Sequence, residues 1–424
     1  MIQESEYKQR REAFAKKLSK NSLAVLFASE FKTRSNDTEY PYRQDSNFYY
    51  LSGFKENNAA LVFVKGKKET KCILFVQPKD KKLELWNGKR LGEKKAKKRF
   101  SVDEVYSIEE LEGKLKLFAQ KKKTLYYDFA SEDARVRCVK KHSKNIFAQK
   151  NVALLVQEMR LIKSPTEIKL IKKAIEITKK AHHKAMKCTK TEMYEYQLQA
   201  ELEYIFKSNG AYSDAYGSIV AGGNAANTLH YVSNDKPLKK GELILIDAGC
   251  EYEYYASDIT RTIPVSGKFT KAQKELYEMV LVVQEKIIKM IKPSLKRSTL
   301  QKRAELLLTK GMVKLGILKG DVKKLIKQEK HKKYFPHGIG HWMGLDVHDP
   351  APYKYHNDKE IPLKEGMVLT IEPGIYCNKE DKTIPKKYRG IGIRIEDNIL
   401  VTKNGYANLS KKIAKRVKDI EKKA

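Results

Sequence analysis

The sequence predicts an α/β N-terminal domain followed by an α+β domain whose two halves repeat one order of elements. Three observations carry this expectation. Before about residue 155, short apolar and β-branched runs alternate with polar stretches of helical composition. At Ser164-Pro165-Thr166-Glu167 a helix-start signature marks a new region. Beyond it, two helical patterns followed by strand-like runs occur twice, which suggests pseudo-duplicated halves. A chain of 424 residues also exceeds one ordinary core, so residues 1–158 and 159–424 are expected to form separate domains.

In the first domain the strand-like runs are 23–28, 48–51, 60–64, 72–76 and 124–129. At the junction, Ser164 can cap, Pro165 fits the first helical position and Glu167 completes a capping box. A helix over about 165–187 should carry Ile168, Ile171 and Ile175 on one stripe. A second helix, about 191–209, should stop at Gly210, with strands near 216–222, 243–248 and 256–264. After Gly267 the order recurs: helices at about 270–291 and 298–315, then strands at 367–372 and 391–401. Residues 376–389 read as a loop, and the last dozen residues as a lysine-rich tail that is helical or frayed.

The formal net charge of +34 invites a nucleic-acid or anionic-lipid reading. The lysines are nevertheless dispersed in twos and threes, such as Lys94-Lys95 and Lys121 to Lys123, with no dominant block or amphipathic basic helix. A solvated lysine-rich surface is therefore expected, with no specific nucleic acid and no membrane as partner. Five scattered cysteines without a C-x-x-C pair point to reduced thiols rather than disulfides or a thiolate zinc centre. The charged opening residues and the lack of a run near ~20 apolar residues lead to the expectation of a soluble, cytoplasmic protein.

The chemistry is concentrated in the second domain. The apolar run Leu243-Ile244-Leu245-Ile246 ends in Asp247, and Asp258 follows in Ser257-Asp258-Ile259-Thr260-Arg261-Thr262. Strand alternation puts Asp258, Thr260 and Thr262 on one face. An antiparallel return through a turn at 252–255 would bring Asp258 beside Asp247. A third segment, 337–349, holds His337, His341 and His348 among glycines. Gly338 and Gly340 argue against a helix, so the segment reads as a loop or strand entry rather than an H-E-x-x-H zinc motif. Two further apolar runs end in Glu372 and Glu396, with Arg394 on the same face as Glu396.

Either glutamate alone could be half of a structural salt bridge, and one Asp at a strand end is usually a turn residue. Together they give four carboxylates and one imidazole; the four negative ligands balance two divalent ions, and the oxygen-rich set favours a hard ion such as manganese. Metals ~3.5–4 Å apart can share a hydroxide and polarise a carbonyl under attack, which suits amide hydrolysis.

The motifs IDAGCEYEYYASDITRT, HGIGHWMGLDVHD, LTIEPGIY and GIGIRIED resemble those of the pita-bread metallopeptidases. With NDTEYPYRQDSNFYYLSGF, LWNGKRLGE and RLIKSPTEI, the chain looks most like the aminopeptidase P branch of that family over nearly its whole length. The resemblance implies a creatinase-like N-terminal domain on a pita-bread catalytic domain. It also implies Asp247, Asp258, His341, Glu372 and Glu396 as ligands of a dimanganese centre, Asp258 and Glu396 bridging. By the same match Glu372 would move a proton, and His230 and His348 would hold substrate and the developing oxyanion. Arg394 would steady that wall, while His337 and Tyr376 would shape the pocket. The expected partners are peptides with proline second and copies of the chain itself, in a dimer or tetramer. The polar segment 34–44 reads either as a loop before a strand or, as the resemblance implies, as part of a domain that builds oligomers and restricts the entrance, and Trp86 and Arg90 read as rim residues or ordinary packing.

Alternatives are prolidase, which takes only Xaa-Pro dipeptides, methionine aminopeptidase, and a non-catalytic pita-bread protein that binds nucleic acid or protein. The large N-terminal domain speaks against the second. Retention of all five ligand types speaks against the third.

Overall fold

The computed structural model describes residues 1–131, 133–355 and 357–423. They divide into two compact units, Met1–Arg160 and Leu161–Ala424, a division two residues beyond the 158/159 boundary read from sequence.

The first unit is built on a six-stranded mixed sheet. Across it run Glu104–Ser107, Thr70–Val76, Ala60–Lys65, Ser22–Phe27, Thr124–Tyr127 and Ala148–Asn151. The central strands Ser22–Phe27 and Ala60–Lys65 pair antiparallel in register from Ser22↔Lys65 to Phe27↔Ala60. Leu23, Val25, Val62, Ile73 and Leu125 fill the core on one side, all essentially without water contact. The run 48–51, expected as a strand, is instead part of the helix Ser46–Ser52. Asp45 caps it by accepting from the Phe48 amide at 2.7 Å, and Gly53 closes it with φ +64°. Local capping thus overrode a strand-like composition. Part of the polar segment 34–44 forms the exposed ribbon Thr33–Ser35 with Thr38–Glu39.

The second unit begins with the helix Pro165–Cys188. Its capping box is present: the Glu167 amide donates to Ser164 Oγ at 3.2 Å, and the Ser164 amide donates to Glu167 Oε2 at 2.9 Å. The helix Glu195–Ser208 packs beside it, burying Leu198, Leu202 and Phe206. Each such side chain contributes roughly 1.5–3 kcal/mol of burial. The three antiparallel strands Ile219–Gly222, Leu243–Asp247 and Thr260–Pro264 follow, with Leu243–Asp247 in the middle. The second half repeats the order with helices Lys271–Met290 and Arg297–Lys314, then the strands Val368–Ile371, Asp397–Thr402 and Gly405–Asn408.

Two expectations change here. Residues 391–401 are two strands, Ile391–Arg394 and Asp397–Thr402, which join different sheets. The first pairs with Gly374–Cys377, so the stretch read as a loop from 376 begins in a strand. Which partners each strand pairs with is set by tertiary contacts and leaves no local mark in the sequence.

Candidate active site

The four carboxylate donors stand where an apolar strand stops or turns, and His341 lies in a glycine-rich segment. Asp247 is the last residue of Leu243–Asp247 and pairs with Ile219 on one side and Thr260 on the other. The chain then turns through Cys250–Tyr252 and Tyr255–Ala256, with Glu253 and Tyr254 at positive φ, and returns at Asp258. Asn398 fixes Asp258 by its backbone: Nδ2 donates to the Asp258 carbonyl at 2.6 Å and Oδ1 accepts from its amide at 3.1 Å. Since Asn398 belongs to the second half, the two halves are tied at the donor itself.

The glycine-rich segment approaches Val368–Ile371 edge-on. The Thr370 amide donates to the His341 carbonyl, and the Glu372 amide to that of Ile339, both at 2.9 Å. His341 Nδ1 donates to the Trp342 carbonyl at 3.0 Å, which turns Nε2 toward Asp258 Oδ2 at 3.3 Å and Glu372 Oε1 at 3.6 Å. This backbone anchor selects the tautomer a metal needs. The helix Lys271–Met290 sets the two glutamates: Gln284 Nε2 donates to the carbonyls of Ile371 at 3.2 Å and Ile395 at 3.0 Å, the residues just before Glu372 and Glu396.

These side chains face one cavity of about 510 Å³. Asp247, Asp258, His341, Glu372, Glu396, Arg394, His230, His337 and His348 all line it, with Ile219, Leu229, Val232 and Val347 giving an apolar wall. One ligand atom each of Asp258, His341 and Glu396 lie within 4.8 Å of one another. His348 stands edge-on to His341, ring centres 4.1 Å apart, and His230 sits exposed on the lining. Tyr376 is placed behind the wall: its hydroxyl takes a hydrogen bond from Arg394 Nη1 at 3.0 Å and reaches His337 Nε2 at 2.8 Å. Cys250 lies outside the cavity, bonded to Thr178 and Ser257.

Tyr216 was missed by sequence reasoning. It sits on the loop after Ser213–Asp214, and its hydroxyl is 2.6 Å from Asp247 Oδ1 and 2.7 Å from Asp258 Oδ1. Burial and those carboxylates hold its phenol protonated, well above the ordinary range. An isolated tyrosine in a polar loop carries no spacing signal.

The electrostatics test whether cations fit. Burial pushes Glu372 up to about 7, with Asp258 and Asp247 adding to it against His341 and Arg394. Glu396 is raised further by burial, then by Asp258, Glu372 and Asp247. His341 is disfavoured as a cation by burial, yet Asp258 drives it to about 9. Four crowded carboxylates thus call for more positive charge than Arg394 and one imidazolium supply. Arg394 Nη2 binds Asp247 Oδ2 at 2.5 Å, and its Nε donates to Thr260 Oγ1 at 3.2 Å, which in turn donates to Glu396 Oε2 at 2.7 Å. The donor set fits divalent cations.

A two-half α+β unit with such a cavity between its sheets defines a pita-bread metallopeptidase. The sequence model of metallopeptidase family M24 matches residues 169–403, and that of the aminopeptidase P N-terminal domain matches residues 7–126. The chain belongs to metallopeptidase family M24, whose members use divalent metal ions, and within it to the aminopeptidase P branch. It is 43% identical over 420 residues to a Xaa-Pro aminopeptidase of Haemophilus influenzae, covering 99% of this chain and 97% of that protein. The Xaa-Pro aminopeptidase of Escherichia coli is 41% identical over 434 residues, covering 99% and 97%. Among solved structures, proline aminopeptidase P II from Yersinia pestis aligns with TM-score 0.95 at 39% identity, covering 100% of this chain and 99% of that one. A glutamate-to-alanine variant of Escherichia coli aminopeptidase P in complex with substrate aligns equally well, covering 100% and 98%.

Proposed function

We propose that this chain is a dimetal Xaa-Pro aminopeptidase, a metallo-exopeptidase that releases the first residue from peptides with proline second. The observation that carries the reading is the convergence of four carboxylates and one imidazole on a single cavity beside Arg394. The near-full-length likeness to Xaa-Pro aminopeptidases supplies the specificity.

Asp247, Asp258, His341, Glu372 and Glu396 would hold the ions, which the oxygen-rich donor set suits to Mn2+. Bound there, two divalent cations supply Lewis acidity to the scissile carbonyl and lower the pKa of the attacking water. Asp258 and Glu396 would be shared between the two ions. Glu372 would take the proton of the attacking water and return it to the departing proline nitrogen. His230 and His348 steady the substrate carbonyl as it becomes an oxyanion. Arg394 pairs with Asp247 against the burial that raises its pKa and, through Tyr376, orients His337, which burial and Arg394 keep neutral with a pKa of about 4. The apolar side chains of Ile219, Leu229, Val232 and Val347 offer the proline ring a surface of its own character. An Xaa-Pro bond has no N–H, so a site that accepts it forgoes that hydrogen bond.

Five free cysteines suit a reducing compartment, and we place the enzyme in the cytoplasm as a homodimer or tetramer. No described helix is long and apolar enough to cross a membrane. The deciding experiment incubates the purified protein and Mn2+ with an Xaa-Pro dipeptide and an Xaa-Pro-Yaa peptide, alongside metal analysis and light scattering. Cleavage of the longer peptide with two ions bound is expected. Cleavage of the dipeptide alone would make it a prolidase, and Asp258→Asn retaining full turnover would reject the site.

A further inference from the structure

The N-terminal unit holds a second group of metal donors, one that the peptidase chemistry does not use. Cys138 and His142 lie four residues apart on the helix Ala134–His142, which stacks their side chains on one face. Glu112 stands in the first turn of the helix Leu111–Phe118, which packs against it. His142 Nε2 is 2.7 Å from Glu112 Oε1, and one donor atom from each of the three residues lies within 4.8 Å of the other two.

A surface ion pair would account for Glu112 and His142 alone. The thiol of Cys138 on the same face adds a donor of different chemistry. One sulfur, one nitrogen and one oxygen form a set softer than the carboxylates of the active site, suited to Zn2+ or Co2+ rather than to Mn2+. Donors around a tetrahedral zinc ion stand roughly 3.3–3.8 Å apart, so small side-chain rotations close the group on an ion. Glu112 is exposed and His142 is 15% exposed, which leaves the fourth position open to water. Cys138 packs partly against the sheet core, so the sulfur is held in place. Lys141 Nζ touches Glu112 Oε1 at 3.2 Å from an exposed position and can swing into water when a cation arrives.

We propose that Glu112, Cys138 and His142 bind one thiophilic divalent cation, of the Zn2+ class, that clamps the two helices together. On binding, the sulfur–metal bond forms as the S–H bond breaks, and the proton passes to solvent.

The test titrates the full-length, Mn2+-loaded protein with Co2+ and follows the near-ultraviolet thiolate-to-cobalt charge-transfer band. We expect the band to saturate at a single site and to be erased by Zn2+. It should be missing in Cys138→Ser and need at least about tenfold more Co2+ in His142→Ala. Peptidase activity and circular dichroism should be unchanged in both variants. Cobalt entering the active site meets only oxygen and nitrogen donors and gives no such band, so the outcome is independent of the peptidase reading. No band in the parent protein, or a band that persists in Cys138→Ser, would overturn the proposal.

Discussion

Gly340 lies against Thr370 so closely that a Cβ on it would stand 1.9 Å from the Thr370 carbonyl oxygen. The next residue, His341, is bonded to Thr370 through both its amide and its carbonyl. Gly340→Ala must therefore push the imidazole away from Asp258 and Glu372. We expect a stability loss of about 1–3 kcal/mol and a fall in kcat/KM of more than about tenfold. Thermal unfolding and steady-state assays check both; an unchanged kcat/KM would refute the positioning argument.

Tyr216→Phe removes one hydroxyl that touches both Asp247 and Asp258 and leaves the ring packing in place. Metal affinity should drop about 10–100-fold, with the fold intact by circular dichroism. Competition with a metal indicator dye measures it.

The buried guanidinium of Arg261 joins Asp397 Oδ1 at 2.7 Å, with both side chains fully shielded from water, while Lys415 holds the other oxygen. Burial opposes the Asp397 charge, and the two cations together keep its pKa well below the carboxylate range. Arg261→Leu leaves that carboxylate half-compensated, for a loss of about 3–5 kcal/mol. Urea unfolding followed by the fluorescence of Trp342, buried in the same unit, reads the loss.

His182 predicts the acid side of the stability profile. Burial lowers its pKa to about 3, and its Nε2 donates to the Ala248 carbonyl at 3.0 Å as the neutral ring. The unfolded chain regains an ordinary pKa near ~6.5 and so binds the proton that the folded state refuses. Stability is full above that pH and falls below it, by about 1.4 kcal/mol per pH unit down towards pH 3. Half-buried His183, lowered to about 4, acts in the same direction. Unfolding at pH 6.5 and 5.5 should show the drop, and His182→Gln should flatten it.

Chelation supplies a further check. Ions that bind only the folded form stabilise it by about 2.7 kcal/mol at a hundredfold excess over Kd. Stripping them should lower the melting temperature by several degrees, and Mn2+ should restore it. An unchanged melting curve would contradict the assigned ligand set.

Much of the site was legible because it depends on short-range rules. A carboxylate ending an apolar strand, as at Asp247, and glycines beside His341 both leave marks within a few residues. The capping box at Ser164 is equally local. What escaped depends on tertiary placement. Tyr216 acts on two aspartates that follow 31 and 42 positions later in the chain. Gln284 holds two strands from a helix, Tyr376 lies behind His337 instead of lining the cavity, and Ile391–Arg394 and Asp397–Thr402, only two residues apart, pair with different strands. In 48–51, a cap at Asp45 and a left-handed Gly53 outweighed composition.

Asn398 spans the two halves by gripping both backbone groups of Asp258. The donors are divided in the same way, Asp247 and Asp258 before the repeat and His341, Glu372 and Glu396 after it. Neither half can assemble the centre alone, so a partly synthesised or clipped chain lacks a working peptidase. Activity therefore reports that both halves of the unit are present and folded on one another.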